Sequence, residues 1–339
     1  MKVLFASYQA VAMPGGGVYT QIMKTKAALE KAGVQVDLFD QWKRYNWQEI
    51  DLVHVFSTDM RNYFLLKALP AEVPLVVSPI IDKTLPFFLL RGLVATSALL
   101  PHQILTSYQS HRLGFEKARL IIAPSPDGQR MLEKGFGVSR DKIRVIYNGV
   151  DPLFLDASGD VFTEKYGFDN FVLYAGQIGN PRKNLTRLLR VAQQMPEHEF
   201  VLIGPILDNP EARRVVTMAE NLPNVHLLGR VSLDELASAY AACQVFVLPS
   251  LVEGTGLVAL EAGLTGANVV ITKNGGPPDY FQEFAIYVDP KSETSIKQGI
   301  EAALTLPRND ELRRYIQDNF LWSKIVQKLI QVYEEVVVS

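Results

Sequence analysis

Pro249-Ser250-Leu251-Val252-Glu253-Gly254-Thr255-Gly256-Leu257-Val258-Ala259-Leu260-Glu261-Ala262 follows the apolar run Val245-Phe246-Val247-Leu248 and spaces two carboxylates eight residues apart across a Gly-Thr-Gly loop. A β-branched run, a glycine-bearing loop and an apolar helical stretch in that order read as strand, turn and helix start. A Glu at the end of a buried strand is costly unless it hydrogen-bonds something, and the glycines beside it bare main-chain N–H donors. Glu261 lies about one and a half turns into the helix and can face the same side.

The same alternation runs outward in both directions. Towards the N-terminus, Val3-Leu4-Phe5-Ala6 precedes a Gly-rich loop, a helix-like stretch from Val18 to Ala32 and the alternating run Val34-Gln35-Val36-Asp37-Leu38, a βαβ unit. Leu52-Val53-His54-Val55-Phe56, Leu75-Val76-Val77, Leu120-Ile121-Ile122 and Ile143-Arg144-Val145-Ile146 continue it. After a pause between Asn148 and Asp160 it restarts with Phe171-Val172-Leu173-Tyr174-Ala175-Gly176. Phe200-Val201-Leu202-Ile203, Val225-His226-Leu227-Leu228, Val269-Val270-Ile271 and Ile286-Tyr287-Val288 belong to this second series. Short apolar runs separated by helix-sized spacers suit strands of a parallel sheet covered on both faces. The expected fold is therefore α/β, with two Rossmann-like, doubly wound domains. Because such sheets bind ligands outside the carboxyl ends of their strands, the domains are expected to face each other across a cleft that holds the site.

Composition narrows the class. The chain has 339 residues, 48% hydrophobic and 21% charged, close to ordinary folded proteins and long enough for two cores. Cys243 is the single cysteine, so no internal disulfide forms. No leader-like start is evident, which predicts a cytoplasmic protein. The longest apolar segment, Phe87 to Leu100, is interrupted by Arg91 and falls short of the roughly 20 residues a bilayer span needs. The net charge of -2 hides an asymmetry: residues 1–150 carry 18 Lys/Arg against 12 Asp/Glu, a net +6, and residues 151–339 carry 16 against 24, a net -8. A basic N-terminal half predicts an anionic partner there, such as a phosphorylated acceptor or peripheral contact with the inner face of a membrane. Nothing in the chain resembles an interleaved basic and aromatic nucleic-acid surface.

Two further clusters sit at strand-to-helix junctions. Pro14-Gly15-Gly16-Gly17 lies where backbone N–H groups and a helix N-terminus favour an anion. A dinucleotide fingerprint needs a third glycine where Thr20 stands, and Asp37 is the one remaining support for a dehydrogenase reading. Close approach of a phosphate or sugar to bare backbone is the better use of Gly15, Gly16 and Gly17. Asn180-Pro181-Arg182-Lys183-Asn184 puts two cations after the strand that ends at Gly176, where Arg182 and Lys183 can neutralise a diphosphate.

Taken together these motifs resemble the retaining GT-B glycosyltransferases, in particular the large fourth family with its Glu-x7-Glu signature, here Glu253 to Glu261. Arg119-Leu120-Ile121-Ile122-Ala123-Pro124-Ser125 and Ile143-Arg144-Val145-Ile146-Tyr147-Asn148-Gly149-Val150-Asp151 resemble the closing strands of that family's N-domain. Pro181-Arg182-Lys183-Asn184-Leu185 resembles its diphosphate loop, Gly275-Gly276-Pro277-Pro278-Asp279-Tyr280 the loop after the signature, and Phe320-Leu321-Trp322-Ser323-Lys324-Ile325 its final helix.

The resemblance implies a GT-B chain with an acceptor-binding domain at 1–154, a donor domain at 155–318 and a helix at 319–339 returning to the first domain. It implies that Arg182 and Lys183 hold the donor diphosphate without a metal ion, and that Glu253, with Gly254, Thr255, Gly256 and Leu257, holds the transferred sugar. Glu261 accepts from the ribose hydroxyls, and Gly15 to Gly17 approach the diphosphate or acceptor. The implied reaction moves a sugar from a nucleotide-diphosphate sugar, a UDP- or GDP-sugar, to a hydroxyl of a glycan or lipid-linked acceptor, with no other cofactor. Three departures stand out. Gln177 follows Gly176 where the family carries an Arg, Thr255 replaces a common aromatic, and Ser78-Pro79-Ile80-Ile81-Asp82 lacks the family's His, for which His54, His102 and His111 are the spare candidates, His102 and His111 foremost. They leave open a catalytically silent binding subunit and a sugar-nucleotide epimerase on the same fold.

Overall fold

The structure is a computed structural model and describes residues 1–8, 11–12, 17–81, 85–97 and 105–338. The chain divides into two compact units, Met1–Gly149 with Trp322–Ser339, and Val150–Leu321. The first holds strands β1 (Lys2–Ala6), β2 (Gln35–Leu38), β3 (Leu52–Phe56), β4 (Leu75–Ser78), β5 (Leu120–Ala123) and β6 (Ile143–Val145). The second holds β7 (Val172–Ala175), β8 (Phe200–Ile203), β9 (Val225–Gly229), β10 (Val245–Leu248), β11 (Asn268–Thr272) and β12 (Ile286–Val288). These are the apolar runs read from the sequence. They pair in parallel, in the orders β2-β1-β3-β4-β5-β6 and β12-β11-β10-β7-β8-β9. Parallel neighbours need a crossover, and the helix-sized spacers supply it.

Each order reverses once. In the first sheet the chain leaves β1 for β2 on one side and returns to β3 on the other; in the second it runs β7-β8-β9 outward and returns to β10 beside β7. At such a reversal the two following loops leave in opposite directions and open a crevice at the carboxyl edge. The loops after β7 and β10 are therefore the candidate functional loops of the second unit.

Successive residues of a strand face opposite ways, and both ways are covered. Val3 and Phe5 pack with Ile22, Leu29, Val326, Leu329 and Tyr333 on one face, while Leu4 and Ala6 pack with Leu66, Phe115 and Leu132 on the other. The helix Trp322–Val338 thus completes the first unit, not the second. Its buried positions Ile325, Val326, Leu329, Val332, Tyr333 and Val336 form one stripe at three- and four-residue spacing. Arg119 donates to the Val336 carbonyl at 2.7 Å, and Arg144 pairs with Glu335. The Trp322 indole lies so close to Gly149 that a Cβ there would sit 2.4 Å from the ring, which leaves room for glycine alone.

The unit boundaries lie at 149/150 and 321/322, where the sequence alone places them at 154/155 and 318/319. Packing makes the difference. Val150 pairs with Leu321 and donates to the Phe320 carbonyl at 2.8 Å, Phe154 packs edge-on to Tyr240, and Phe320 packs on Tyr280. All of these belong to the second unit's core.

Among the described residues of the first unit, His54 and His111 are buried. His54 places Nδ1 2.6 Å from the Tyr333 hydroxyl and Nε2 2.7 Å from Ser78 Oγ, tying β3 to the last helix and to the end of β4. A neutral ring, with one donor and one acceptor nitrogen, satisfies both hydroxyls. Burial lowers its pKa to about 3. His111, also buried, meets the Thr58 hydroxyl through Nδ1 at 2.7 Å, and burial, opposed by the charge of Asp59, lowers its pKa to about 4. Both folded values lie below the unfolded one, so the unfolded chain binds more protons from pH 6.5 downward. Stability is full above pH 6.5 and falls as pH drops, by up to about 1.4 kcal/mol per pH unit for each ring. The urea midpoint should therefore drop between pH 7 and pH 5, and less so in His54→Gln. Equal drops in the two proteins would remove His54 as a source.

Candidate functional site

The site of the second unit is built from three loops laced by main-chain contacts. After β7 the chain passes Gly176 to Asn180, makes a 3₁₀ turn at Pro181–Lys183, and enters the helix Leu185–Gln193 through Asn184. Asn180 caps the turn by accepting from the Arg182 N–H at 3.1 Å, and its side-chain amide donates to Gln177 Oε1 at 3.0 Å. Gln177, standing where the family carries an Arg, thus braces the loop. Asn184 is left-handed at φ 61°, a conformation Asn tolerates, and its amide donates to the carbonyls of Pro249 and Pro290 at 2.9 and 2.7 Å.

After β10, Leu251 donates its N–H to the Arg182 carbonyl at 2.8 Å, fastening the second loop to the first. Glu253 is fixed on both sides of its peptide: its N–H donates to Asn274 O at 3.2 Å and its carbonyl accepts from Gly276 N–H at 3.0 Å. Gly275 makes that approach possible. Its φ is +94°, and a Cβ there would lie 2.0 Å from the Glu253 carbonyl oxygen.

These anchors bring the charged groups together. The Glu253 side chain is only 6% exposed, and its Oε1 lies 2.6 Å from Lys183 Nζ, itself 13% exposed. Arg182 NH1 stands 4.0 Å from Glu253 Oε2 with its side chain one-third exposed. One buried carboxylate therefore meets two cations, and Lys183, with three N–H donors, satisfies Glu253 and still has donors to offer. Nearby, burial and the Glu253 charge hold the Tyr174 phenol ionisation well above its usual range, so its hydroxyl donates to the Gln177 carbonyl at 3.1 Å.

Thr255, Gly256 and Leu257 lead into the helix Leu257–Leu264. The Thr255 hydroxyl is buried and donates to Tyr280 Oη at 3.2 Å. Glu261 lies on that helix, half-buried, and accepts from the Tyr240 hydroxyl at 3.0 Å; burial first and the Glu261 charge second raise the Tyr240 pKa. Ser250 Oγ, buried in the loop after β10, has no hydrogen-bond partner among the described residues.

Other sequence candidates fall elsewhere. Gly15, Gly16 and His102 lie outside the described residues. Gly17 is the first residue of the helix Gly17–Lys31. His111 is a core residue whose Nδ1 is taken by Thr58, the ordinary fate of a lone His in an apolar setting.

The sequence reading missed a polar cluster at the reversal of the first sheet. After β3, Ser57 adopts φ 68°, Asp59 accepts from the Arg61 main-chain N–H at 2.8 Å and also binds its guanidinium, and that guanidinium lies 3.8 Å from the Tyr8 ring centre. The only advance signal was the position of these residues just past strand ends. Among the described residues, no group of three His, Cys, Asp or Glu side chains is placed to hold a metal ion.

The Lys183–Glu253 pair has a measurable consequence. Lys183→Met leaves a buried carboxylate without its nearest counter-charge and should destabilise the second unit by about 3–5 kcal/mol, whereas Lys183→Met with Glu253→Gln should regain most of the loss. Urea unfolding of the three proteins checks this, and additive losses would mean that the two groups do not interact.

Known proteins are similar to this chain in sequence and in fold. The family model described as Glycosyl transferases group 1 matches residues 161–320, and that described as Glycosyltransferase Family 4 matches residues 39–153. An uncharacterized glycosyltransferase of Methanocaldococcus jannaschii is 30% identical over 207 residues, which cover 58% of this chain and 54% of that one; the chain spans about half the length of the curated relatives it matches. Sucrose-phosphate synthase of Thermosynechococcus elongatus superposes with a TM-score of 0.78 at 18% identity over 99% of both chains. Anabaena HepE, solved in complex with UDP and glucose, superposes with a TM-score of 0.75 at 19% identity over 98% of this chain and 99% of that one. With one glycosyltransferase model on each unit and this fold throughout, the chain belongs to the group 1, family 4-like glycosyltransferases of GT-B architecture.

Proposed function

We propose that the protein transfers a sugar, with retention of anomeric configuration and without a metal ion, from a nucleotide-diphosphate sugar to an acceptor hydroxyl. The observation that carries this reading is the group formed by Lys183, Arg182 and Glu253 at the reversal of the second sheet. A diphosphate leaving group develops negative charge as the glycosidic bond breaks, and two cations fixed by the loop after β7 are placed to stabilise it. Glu253 holds Lys183 in place before the donor arrives and offers carboxylate oxygens to sugar hydroxyls once it is bound. The UDP and glucose bound by Anabaena HepE support a UDP-sugar as the first donor to test, with a GDP-sugar second.

In this reading the acceptor oxygen attacks the anomeric carbon on the face from which the nucleotide leaves. The bond from that carbon to the diphosphate oxygen breaks, the bond to the acceptor oxygen forms, and the acceptor proton passes to the departing phosphate oxygen. No side chain needs to become covalently attached. The protein supplies charge stabilisation and orientation. The acceptor is a glycan or lipid-linked hydroxyl compound.

Ligand-observed NMR with UDP-, GDP-, ADP- and dTDP-sugars should show one of them binding, and steady-state kinetics then separate the roles. Lys183→Ala should lower kcat on the order of 10²–10³-fold, because the charge it meets grows in the transition state. Ribose hydroxyls do not change during the reaction, so Glu261→Gln should chiefly raise the donor KM. EDTA should leave the rate unchanged. A wild-type kcat in Lys183→Ala together with an unaltered donor KM in Glu261→Gln would overturn these assignments.

A further inference from the structure

Apart from Met1, Val337 and Val338, the large exposed apolar side chains among the described residues of the first unit are not scattered. Leu38 and Trp42 stand at or after the end of β2, Met60 and Phe64 after β3, and Ile80, Phe88, Leu89 and Leu93 after β4. Since these strands pair in parallel, all eight lie on segments that leave one edge of the sheet.

The helix Phe87–Ser97 concentrates them. At about 100° per residue, Phe88, Leu89, Gly92 and Leu93 share one arc, and Leu90, Val94 and Ser97 share the opposite one. The second arc is the one that packs inward, with Leu90 seated over Gly135. The outward arc is apolar, with Phe88 74% exposed, the reverse of a helix that turns its apolar face to the core. Trp42 is 86% exposed and is followed by Lys43 and Arg44.

Charge selects the occupant. Arg91 flanks the apolar arc beside a hollow of about 420 Å³ that Arg112, Lys142 and Glu116 also line, and Arg112 holds Glu116 at 2.6 Å. The first unit as a whole carries 20 Lys/Arg against 14 Asp/Glu, while the second carries 14 against 22. Exposed aromatic and aliphatic side chains rimmed by cations are the pattern of a helix lying in the headgroup region of an anionic bilayer. Among the described residues no helix is long and apolar enough to cross a membrane, so the contact is one of lying on it.

We propose that the helix Phe87–Ser97, with Trp42 as a second anchor, seats the first unit on an anionic lipid surface. Phe88, Leu89 and Leu93 enter the acyl boundary, and Arg91, Lys43 and Arg44 meet the phosphate headgroups. The proposal does not rest on the transfer reading, since a chain without turnover would bind the same surface.

The test is co-sedimentation of the full chain with vesicles of phosphatidylcholine alone and of phosphatidylcholine with phosphatidylglycerol. The protein should pellet with the anionic vesicles and lose that attachment as salt shortens the Debye length from about 10 Å at 0.1 M to about 3 Å at 1 M. Phe88→Ser and Leu89→Ser should each lower partitioning about tenfold or more, with thermal unfolding unchanged because both side chains are exposed. Arg91→Glu should weaken attachment to the anionic vesicles alone, and Trp42 emission should shift to the blue on binding. Equal recovery with neutral and anionic vesicles, or undiminished binding by the Phe88→Ser, Leu89→Ser chain, would overturn the proposal. So would a dimer in solution that Phe88→Ser dissolves, which would assign the face to self-association.

Discussion

A carboxylate that is almost wholly buried has to be neutralised where it stands, and Glu253 is neutralised by Lys183. That one pair demands that loops seventy residues apart in sequence be held in register to within a hydrogen-bond length. The lacing around it meets the demand: Leu251 to the Arg182 carbonyl, Asn184 to the Pro249 carbonyl, and both ends of the Glu253 peptide to the loop after β11. The adjacency of β7 and β10 makes this reach possible, because the chain returns to the starting strand after running outward through β8 and β9. Site and topology are one constraint read at two scales.

The two units apply the same sheet plan to different surfaces. In the second unit the carboxyl edge gathers charge that is internally paired, and the loops there are fixed by main-chain hydrogen bonds. In the first unit the corresponding edge carries Tyr8, Asp59 and Arg61 together with an unusual share of exposed apolar side chains. The first unit's stability leans on the last helix, which His54, Arg119 and Arg144 all hold, so the segment that completes its core arrives only at the end of the chain. Folding of that unit therefore includes a long-range closure between residues near 54 and near 333, with the loop-closure entropy that such separation carries.

Much of this was legible in the residues. Most strands lie on apolar runs, because a strand covered on both faces cannot be anything but apolar, and the run lengths are too short for buried helices; the edge strand β2, with Gln35 and Asp37, reads instead as an alternating run. Glu253 and Lys183 were each identifiable as charged residues at strand ends, where a charge without a partner is costly. The bracing residues were not identifiable in this way. Asn184 and Asn274 act through their amides on main-chain carbonyls and Gln177 through its amide oxygen on the Asn180 side chain, and an amide at a loop position carries no signal of which group it will meet. His111 shows the converse: its type marked it as a candidate, and its surroundings made it a core residue with Thr58 as partner.

Periodicity and end chemistry in the sequence by themselves determined the α/β class, the two successive sheets and the positions of the charged loops, because each depends on neighbours within a few residues. Tertiary structure alone decided which side chains meet: that Lys183 pairs with Glu253, that the helix Trp322–Val338 belongs to the first unit's core, that the unit boundaries fall at Val150 and Leu321, and that Phe88 faces outward while Leu90 faces in. Those outcomes follow from strand order and packing, which join residues tens to hundreds of positions apart, and no local pattern encodes the distance between two side chains that the fold has yet to bring together.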